Sequence, residues 1–284
     1  ASGQLGTSVT ITGSNLFAAA ESVTEVLLGS TAASEISSQN NTHLVVVAAS
    51  ASATSSAVDV QITAASGAVV TGSSLWTHLA DGSIDEVSPA TGQVGTRVAL
   101  SGARLLGGAD GLSSVSLAGV AASYEAGTAN NTDVVVVIVA AGSTGVAGDV
   151  QITAATGALI TSSGAFTYLA AGDIATVSPS SGHFGTRVNI SGSRLLGGGS
   201  SIVAVTLNGV AVDASTISSS DSFVTLIASA GDAADNTAVV MTADTGAIIS
   251  AENAWTYITP ASITSVVPAS GQIGTVVTIN GESL

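Results

Sequence analysis

One stretch, repeated at domain-sized intervals, limits what this chain can fold into more than any other feature. Pro179-Ser-Ser-Gly182-His-Phe-Gly185-Thr186-Arg-Val188-Asn-Ile190-Ser-Gly192-Ser-Arg-Leu195 recurs as Pro89 to Leu105 and Pro268 to Leu284. Without its proline it also stands at Ala1 to Leu16. Its first glycine falls at Gly3, Gly92, Gly182 and Gly271, in steps of 89, 90 and 89 residues. Solenoids and propellers repeat every ~20–50 residues, so this longer period is that of a small domain. The chain reads as beads: residues 1–80, 81–171 and 172–260, with 261–284 as the start of a further unit.

The stretch itself has a local physical reading. Pro179 cannot donate to a ladder and ends the short strand Ile174 to Val177. Gly182 and Gly185 supply turn conformations that a Cβ would resist. Thr186 to Ile190 then alternates apolar and polar residues, the mark of a half-buried strand. Gly192 closes it and Leu195 returns to the core.

This pattern resembles the start of an IPT/TIG domain, an immunoglobulin-like β-sandwich. The likeness continues downstream in Val115-Ser-Leu117-Ala-Gly119 and Val205-Thr-Leu207-Asn-Gly209. It extends to an aromatic last strand in each unit: Trp76-Thr-His78, Phe166-Thr-Tyr168 and Trp255-Thr-Tyr257. The resemblance implies an all-β chain of tandem immunoglobulin-like sandwiches, the first lacking its opening strand. Linkers of about three residues, centred on Gly82, Gly172 and Pro260, predict a stiff rod. No segment shows the sustained 3.6-residue period and caps of a helix.

Composition narrows the function. Aromatic residues are 3% of the chain, so the cores must rest on Val, Ile, Leu and Ala. A sandwich of this size buries only roughly 60–65% of its unfolded surface, so neighbours are expected to help stabilise it. There is no cysteine, hence no disulfide framework or thiol chemistry. Nineteen acidic residues stand against four arginines, for a net charge of −15. Arg97, Arg104, Arg187 and Arg194 cannot build the basic face that nucleic acid or an anionic membrane needs. Mean hydropathy is +0.59 with 8% charged residues, high for a chain that stays soluble alone. That predicts apolar surface buried between molecules, or covered by glycan. No apolar run reaches the ~18 residues of a membrane helix.

Two kinds of position stand out as functional candidates. Val134 to Val139 is apolar on both faces, as is Leu44 to Val47, whereas a two-layer sandwich ordinarily alternates. Val45, Val47, Val135, Val137 and Val139 are therefore candidate lateral interface residues, since exposed strands of this kind aggregate. Asn40, Asn130 and Asn189 head N-x-S/T sequons; the first two occupy equivalent turns ahead of the apolar strands. Abundant Ser and Thr in the loops is compatible with O-glycans as well.

Other tempting groups read as structural. His43, His78 and His183 align with Asp, Tyr and Gln in sibling units, which argues against a catalytic or metal-binding role. The carboxylates Asp81, Asp85, Glu86 and Asp173 near the linkers lack a calcium-loop spacing and read as solvated charges. Arg97 and Arg187 are expected to pair with carboxylates across a junction or an interface. Trp76, Phe166 and Trp255, in identical register, read as core plugs rather than a sugar platform. No cofactor, metal or catalytic residue is expected.

The expectation is a non-catalytic, extracellular or cell-surface structural protein. It would be a glycan-bearing subunit of a fibril or surface layer that assembles with itself, head to tail and laterally. Ser262 to Val267, carrying Ile263 and Val266, would stand beside the next copy's first unit; a chain that simply continues past the fragment is the alternative. An adhesin or glycan- and protein-binding module is the other reading, in which the divergent segment Asp213 to Asp235 carries the ligand.

Overall fold

The computed structural model describes residues 1–125, 127–138 and 140–283, without the side chain of Val135. The chain forms two compact units, Ala1–Leu169 and Ala170–Leu284. The first unit holds two β-sandwiches. The second holds one sandwich and a two-stranded hairpin.

In the first sandwich one sheet has five strands, in the order Ser2–Gly3, Val69–His78, Val58–Ala64, Val23–Leu28, Thr31–Ala32. It faces a three-stranded sheet of Ser8–Thr12, His43–Val47 and Glu35–Gln39. Between them lie Leu16, Val26, Leu28, Leu44, Val46, Ile62 and Trp76, all buried. Alternation along each strand is the cause: in His43–Val47, Leu44 and Val46 point inward while Val45 and Val47 are half-buried. Burying a Leu, Ile or Val side chain stabilises by about 1.5–3 kcal/mol, so these aliphatic cores stand with one or two aromatic rings each.

The second sandwich repeats this plan and adds a strand. Ser83–Ser88 pairs antiparallel with the motif strand Arg97–Ala103, whose other edge takes Asp133–Val137. Val120–Tyr124 pairs with both layers and joins them into one eight-stranded sheet. In the third sandwich Asp173–Ser178 plays the part of Ser83–Ser88, pairing with Arg187–Ser193. The hairpin pairs Ser262–Val267 with Thr278–Glu282.

The structure departs from the sequence reading at several places. Glu35–Gln39 and Val120–Tyr124 are strands that the pattern did not show. Val69–His78 is one continuous ten-residue strand, longer than the three-residue aromatic segment Trp76 to His78 marks, and it is carried through a register shift opposite Val58/Val60. Among the described residues there is one 3₁₀ turn, Ala214–Thr216, capped by Asp213, whose side chain accepts from the Ser215 N–H. Asp213 is fully exposed, and that backbone hydrogen bond holds its carboxyl below the usual carboxylate value.

Candidate functional site

The sequon turns share one geometry. Asn40 Oδ1 accepts from Thr42 N (2.8 Å), Thr42 Oγ1 (3.0 Å) and His43 N (2.8 Å). Asn130 Oδ1 accepts from Thr132 N (2.7 Å), Thr132 Oγ1 (2.8 Å) and Asp133 N (2.9 Å). Each is an Asx-turn that spends the side-chain oxygen on the backbone, and each Asn is exposed on a strand-leading corner; Asn130 Nδ2 also donates to Thr128 O at 3.5 Å. Asn189 differs: it is half-buried in Arg187–Ser193, between two paired strands.

The strands that are apolar on both faces are inner strands of their sheets. His43–Val47 lies between Ser8–Thr12 and Glu35–Gln39. Asp133–Val137 lies between Arg97–Ala103 and Val120–Tyr124. Their outward residues Val45, Val47 and Val137 are half-buried. Val139 and the side chain of Val135 lie outside the described residues.

The first sandwich has an open edge. Its motif strand Ser8–Thr12 pairs with His43–Val47 on one side, and on the other no strand stands among the described residues. The place taken by Ser83–Ser88 in the second sandwich is a groove of 170 Å³, lined by Ile11, Gly13, Leu16, Val60, Ile62 and Leu75 among others. Leu75 is 52% exposed on its rim. The hairpin is the converse. Ile263 and Val266 are 62% and 43% exposed, and every residue of Thr278–Glu282 is exposed.

Junction residues did more than the sequence showed. Between the two sandwiches of the first unit, Ser8 N–H donates to Thr156 O (2.8 Å) and Leu159 N–H to Leu5 O (2.9 Å). A Cβ on Gly6, whose φ is +83°, would stand 2.8 Å from Leu159 and 2.9 Å from Gly157 O, so this contact needs glycine. Asp81 is a structural acceptor rather than a merely solvated charge: Leu5 N–H (3.2 Å) and the Ser50 hydroxyl both donate to it. Arg104 donates to the linker carbonyls of Ala80 (3.2 Å, from Nε) and Asp81 (2.8 Å, from Nη2). Arg194 does the same to Ala171 O at 3.0 Å. The repeated Arg-Leu-Leu-Gly-Gly spelling was the available signal, but nothing in it names a carbonyl as the partner. Arg97 does not reach across a junction. It pairs with Glu125 at 2.6 Å, within its own sandwich.

The remaining candidates are structural. Trp76, Phe166 and Trp255 are buried and meet His78, Tyr168 and Tyr257 edge to face at 5.9, 5.2 and 5.6 Å. His78 accepts from Trp76 Nε1 at Nδ1 (3.2 Å), which leaves its Nε2–H to donate to Leu28 O at 2.8 Å. Burial raises the Tyr168 and Tyr257 hydroxyls above the ordinary tyrosine value. No cluster of three metal-ligating side chains occurs among the described residues, and no helix among them is long and apolar enough to cross a membrane.

Three sandwiches with a shared glycine-rich opening and an aromatic closing strand define an immunoglobulin-like repeat chain. It belongs to the IPT/TIG family: the IPT/TIG domain matches residues 1–75, 83–168 and 173–257. No curated protein matches it in sequence. Among solved structures it is similar to SGBP-B of a xyloglucan utilization locus of Bacteroides uniformis, at 18% identity and a TM-score of 0.27, over 61% of this chain and 49% of that one. It is also similar to SGBP-B of the mixed-linkage glucan utilization locus of Bacteroides ovatus, at 16% identity and a TM-score of 0.26, over 94% and 67%. The I9–I11 tandem of titin matches at 9% identity and a TM-score of 0.25, over 90% and 96%. The chain thus spans about half the length of the first of these. Likenesses at this level carry no argument about ligands.

Proposed function

We propose that the chain is a non-catalytic structural subunit of an extracellular fibril or surface layer, bearing glycan and assembling with itself. The observation that carries this reading is the built junction between the first two sandwiches, where Ser8 N–H donates to Thr156 O and Leu159 N–H to Leu5 O, so that tandem units are joined by backbone bonds with no ligand-binding machinery between them among the described residues. Glycan at Asn40 and Asn130 would sit on exposed turns away from the sheet ladders. Negative-stain electron microscopy of native material, with intact mass on the same sample, tests it. Regular filaments with a mass above the 27.1 kDa of the polypeptide support the reading; discrete monomers at the bare mass overturn it.

A second reading, a glycan- or protein-binding surface module, has one observation in its favour. Where its sibling continues as the strand Val120–Tyr124, the third sandwich breaks off after Val210–Ala211 into the turn Ala214–Thr216, and it exposes Phe223 and Phe184 nearby in sequence to its motif strands. Exposed aromatic rings can stack on sugars. Binding on a glycan array that is lost in Phe223→Ala would favour this module over the structural subunit.

A further inference from the structure

The geometry points to a self-modification site at the tip of one hairpin: Asn208 loses its side-chain amide through attack by the Gly209 backbone nitrogen. The inference is independent of the subunit reading and concerns covalent chemistry that the chain carries out on itself.

Asn-Gly is spelled at Asn208-Gly209 and at Asn280-Gly281. Every other asparagine precedes a residue whose Cβ crowds its backbone nitrogen, a hindrance that glycine lacks. Leu207 pairs with Val210, so Asn208 and Gly209 alone make the turn. Their φ values of +53° and +73° are those of the type I′ hairpin turn that favours Asn-Gly. Both residues are exposed, and a Cβ built on Gly209 would meet nothing within 4 Å. Among the described residues no hydrogen bond ties down the Gly209 N–H or the Asn208 side-chain amide.

The sibling sandwich shows that the turn does not need asparagine. Ala118 holds the equivalent position at a φ of +46°, followed by Gly119 at +79°. The two hairpins differ in how firmly the strand after the turn is held. Val120–Tyr124 pairs along both of its edges. Val210–Ala211 has only two residues, lies at the edge of its sheet and gives way to Ala214–Thr216. The turn at Asn208 therefore opens locally at lower cost, which lets the nitrogen swing over the side chain. Asn280-Gly281 is the internal control. It lies in a ladder rather than a turn, opposite Ser265 and Ile263, and Asn280 Nδ2 donates to Ser265 Oγ at 2.9 Å.

The reaction balances with water alone. Hydroxide takes the Gly209 N–H proton, the nitrogen bonds to Asn208 Cγ, and the Cγ–Nδ2 bond breaks to release ammonia, which recovers the proton from water. Water then opens the cyclic imide at either carbonyl. One opening leaves an aspartate in place of Asn208, the other its β-linked isomer, and neither step is a redox step. Both products carry one more negative charge. The isomer also adds a backbone atom to a turn whose length sets the Leu207–Val210 register. Val212, now buried with its N–H on Val205 O at 2.9 Å, is the next residue that this slackening would reach.

Incubation of the full chain in warm, mildly alkaline buffer, followed by peptide mass mapping with electron-transfer fragmentation, tests the site. The peptide holding Asn208 should gain about one mass unit as amide becomes acid, split between aspartate and its β-linked isomer. It should do so several-fold faster than the peptide holding Asn280. Asn208→Ala, which copies the sibling turn, should keep its mass over the same period. An Asn208 peptide that stays unchanged in the folded chain for as long as the denatured chain takes to convert would overturn the proposal, because the turn would then protect the amide. Conversion at Asn280, or at any other asparagine, as fast as at Asn208 would overturn it too.

Discussion

Gly13 is the position at which the open edge and the closed ones should behave differently. Its counterparts Gly102 and Gly192 lie where the first strand shifts register against the motif strand. A Cβ built on either would stand 2.0 Å from a backbone carbonyl oxygen, that of Ser83 or Asp173. Carbon–oxygen contacts normally settle at about 3.3–3.6 Å, so the strands must part by more than an ångström. Overpacking of this kind costs about 1–3 kcal/mol, and a carbonyl in a ladder cannot rotate aside, which places these two sites at the upper end. Gly102→Ala and Gly192→Ala should therefore lower the melting temperature of their sandwiches by about 10–20 °C, at about 4–8 °C per kcal/mol. On Gly13 a Cβ meets only Leu16 Cδ2, at 2.7 Å, the free end of a side chain that can turn away. Gly13→Ala should leave folding within about 0.5 kcal/mol of the parent, as surface substitutions usually do. Calorimetry on the three variants reads the difference. A Gly13→Ala chain destabilised as much as Gly102→Ala, or a Gly102→Ala chain that melts like the parent, would refute the reasoning.

Three further outcomes are expected. His78→Ala should destabilise the first sandwich by about 2–5 kcal/mol, because it strands the Trp76 N–H and the Leu28 carbonyl at about 1–3 kcal/mol each; denaturant unfolding followed by Trp76 fluorescence reads it. Glycopeptide mapping of native material should find glycan at Asn40 and Asn130 and bare Asn189, since only Asn189 lies within a doubly paired strand; occupancy at Asn189 would contradict the turn-exposure argument. The Ser200 hydroxyl is the largest cause holding the Asp244 carboxyl below its ordinary value, with the Ser200, Ser201 and Thr245 backbone N–H groups adding to it and desolvation opposing. A depressed folded value means the stabilisation is present above the unfolded value near 3.8 and is lost as pH falls through the folded one. Amide exchange at Ser200 should therefore quicken only in strong acid, beyond the intrinsic pH trend, and Asp244→Asn should show the faster exchange at neutral pH.

What could be read in the sequence was what alternation and internal repetition encode. Val188 and Ile190 alternate with polar residues, Val98 and Leu100 flank only the small Ala99, and all four are buried; the aromatic closing strands fall in the same register in all three sandwiches. Glu35–Gln39 escaped notice because its one inward-leaning residue, Ile36, is surrounded by Glu, Ser and Gln, so that no apolar period marks it. Gly72-Ser73-Ser74 carries turn-forming residues, and Ser74 adopts a φ of +55°. The strand nonetheless continues, because residues 73–75 are looped out of register as a bulge opposite Val58 and Val60 and pairing resumes at Trp76. Arg104 and Arg194 were counted as too few for a basic face, but their φ of +54° and +53° turns them back onto linker carbonyls. A charge tally cannot see an acceptor that every residue carries.

The same contrast bears on the lateral faces. Apolar runs in Leu44 to Val47 and Val134 to Val139 point to strand faces that could pack against another copy, yet both strands are flanked on each edge and Val45, Val47 and Val137 are already partly covered. What a lateral contact would still remove from water there is a fraction of each side chain, at about 25 cal/mol per Å² of apolar surface. Side-by-side approach of chains carrying a net charge of −15 is opposed by repulsion that salt relieves. On the proposed self-assembly, lateral bundling should therefore appear only above roughly 0.1 M salt; bundling that weakens as salt rises would contradict contact through the apolar strand faces.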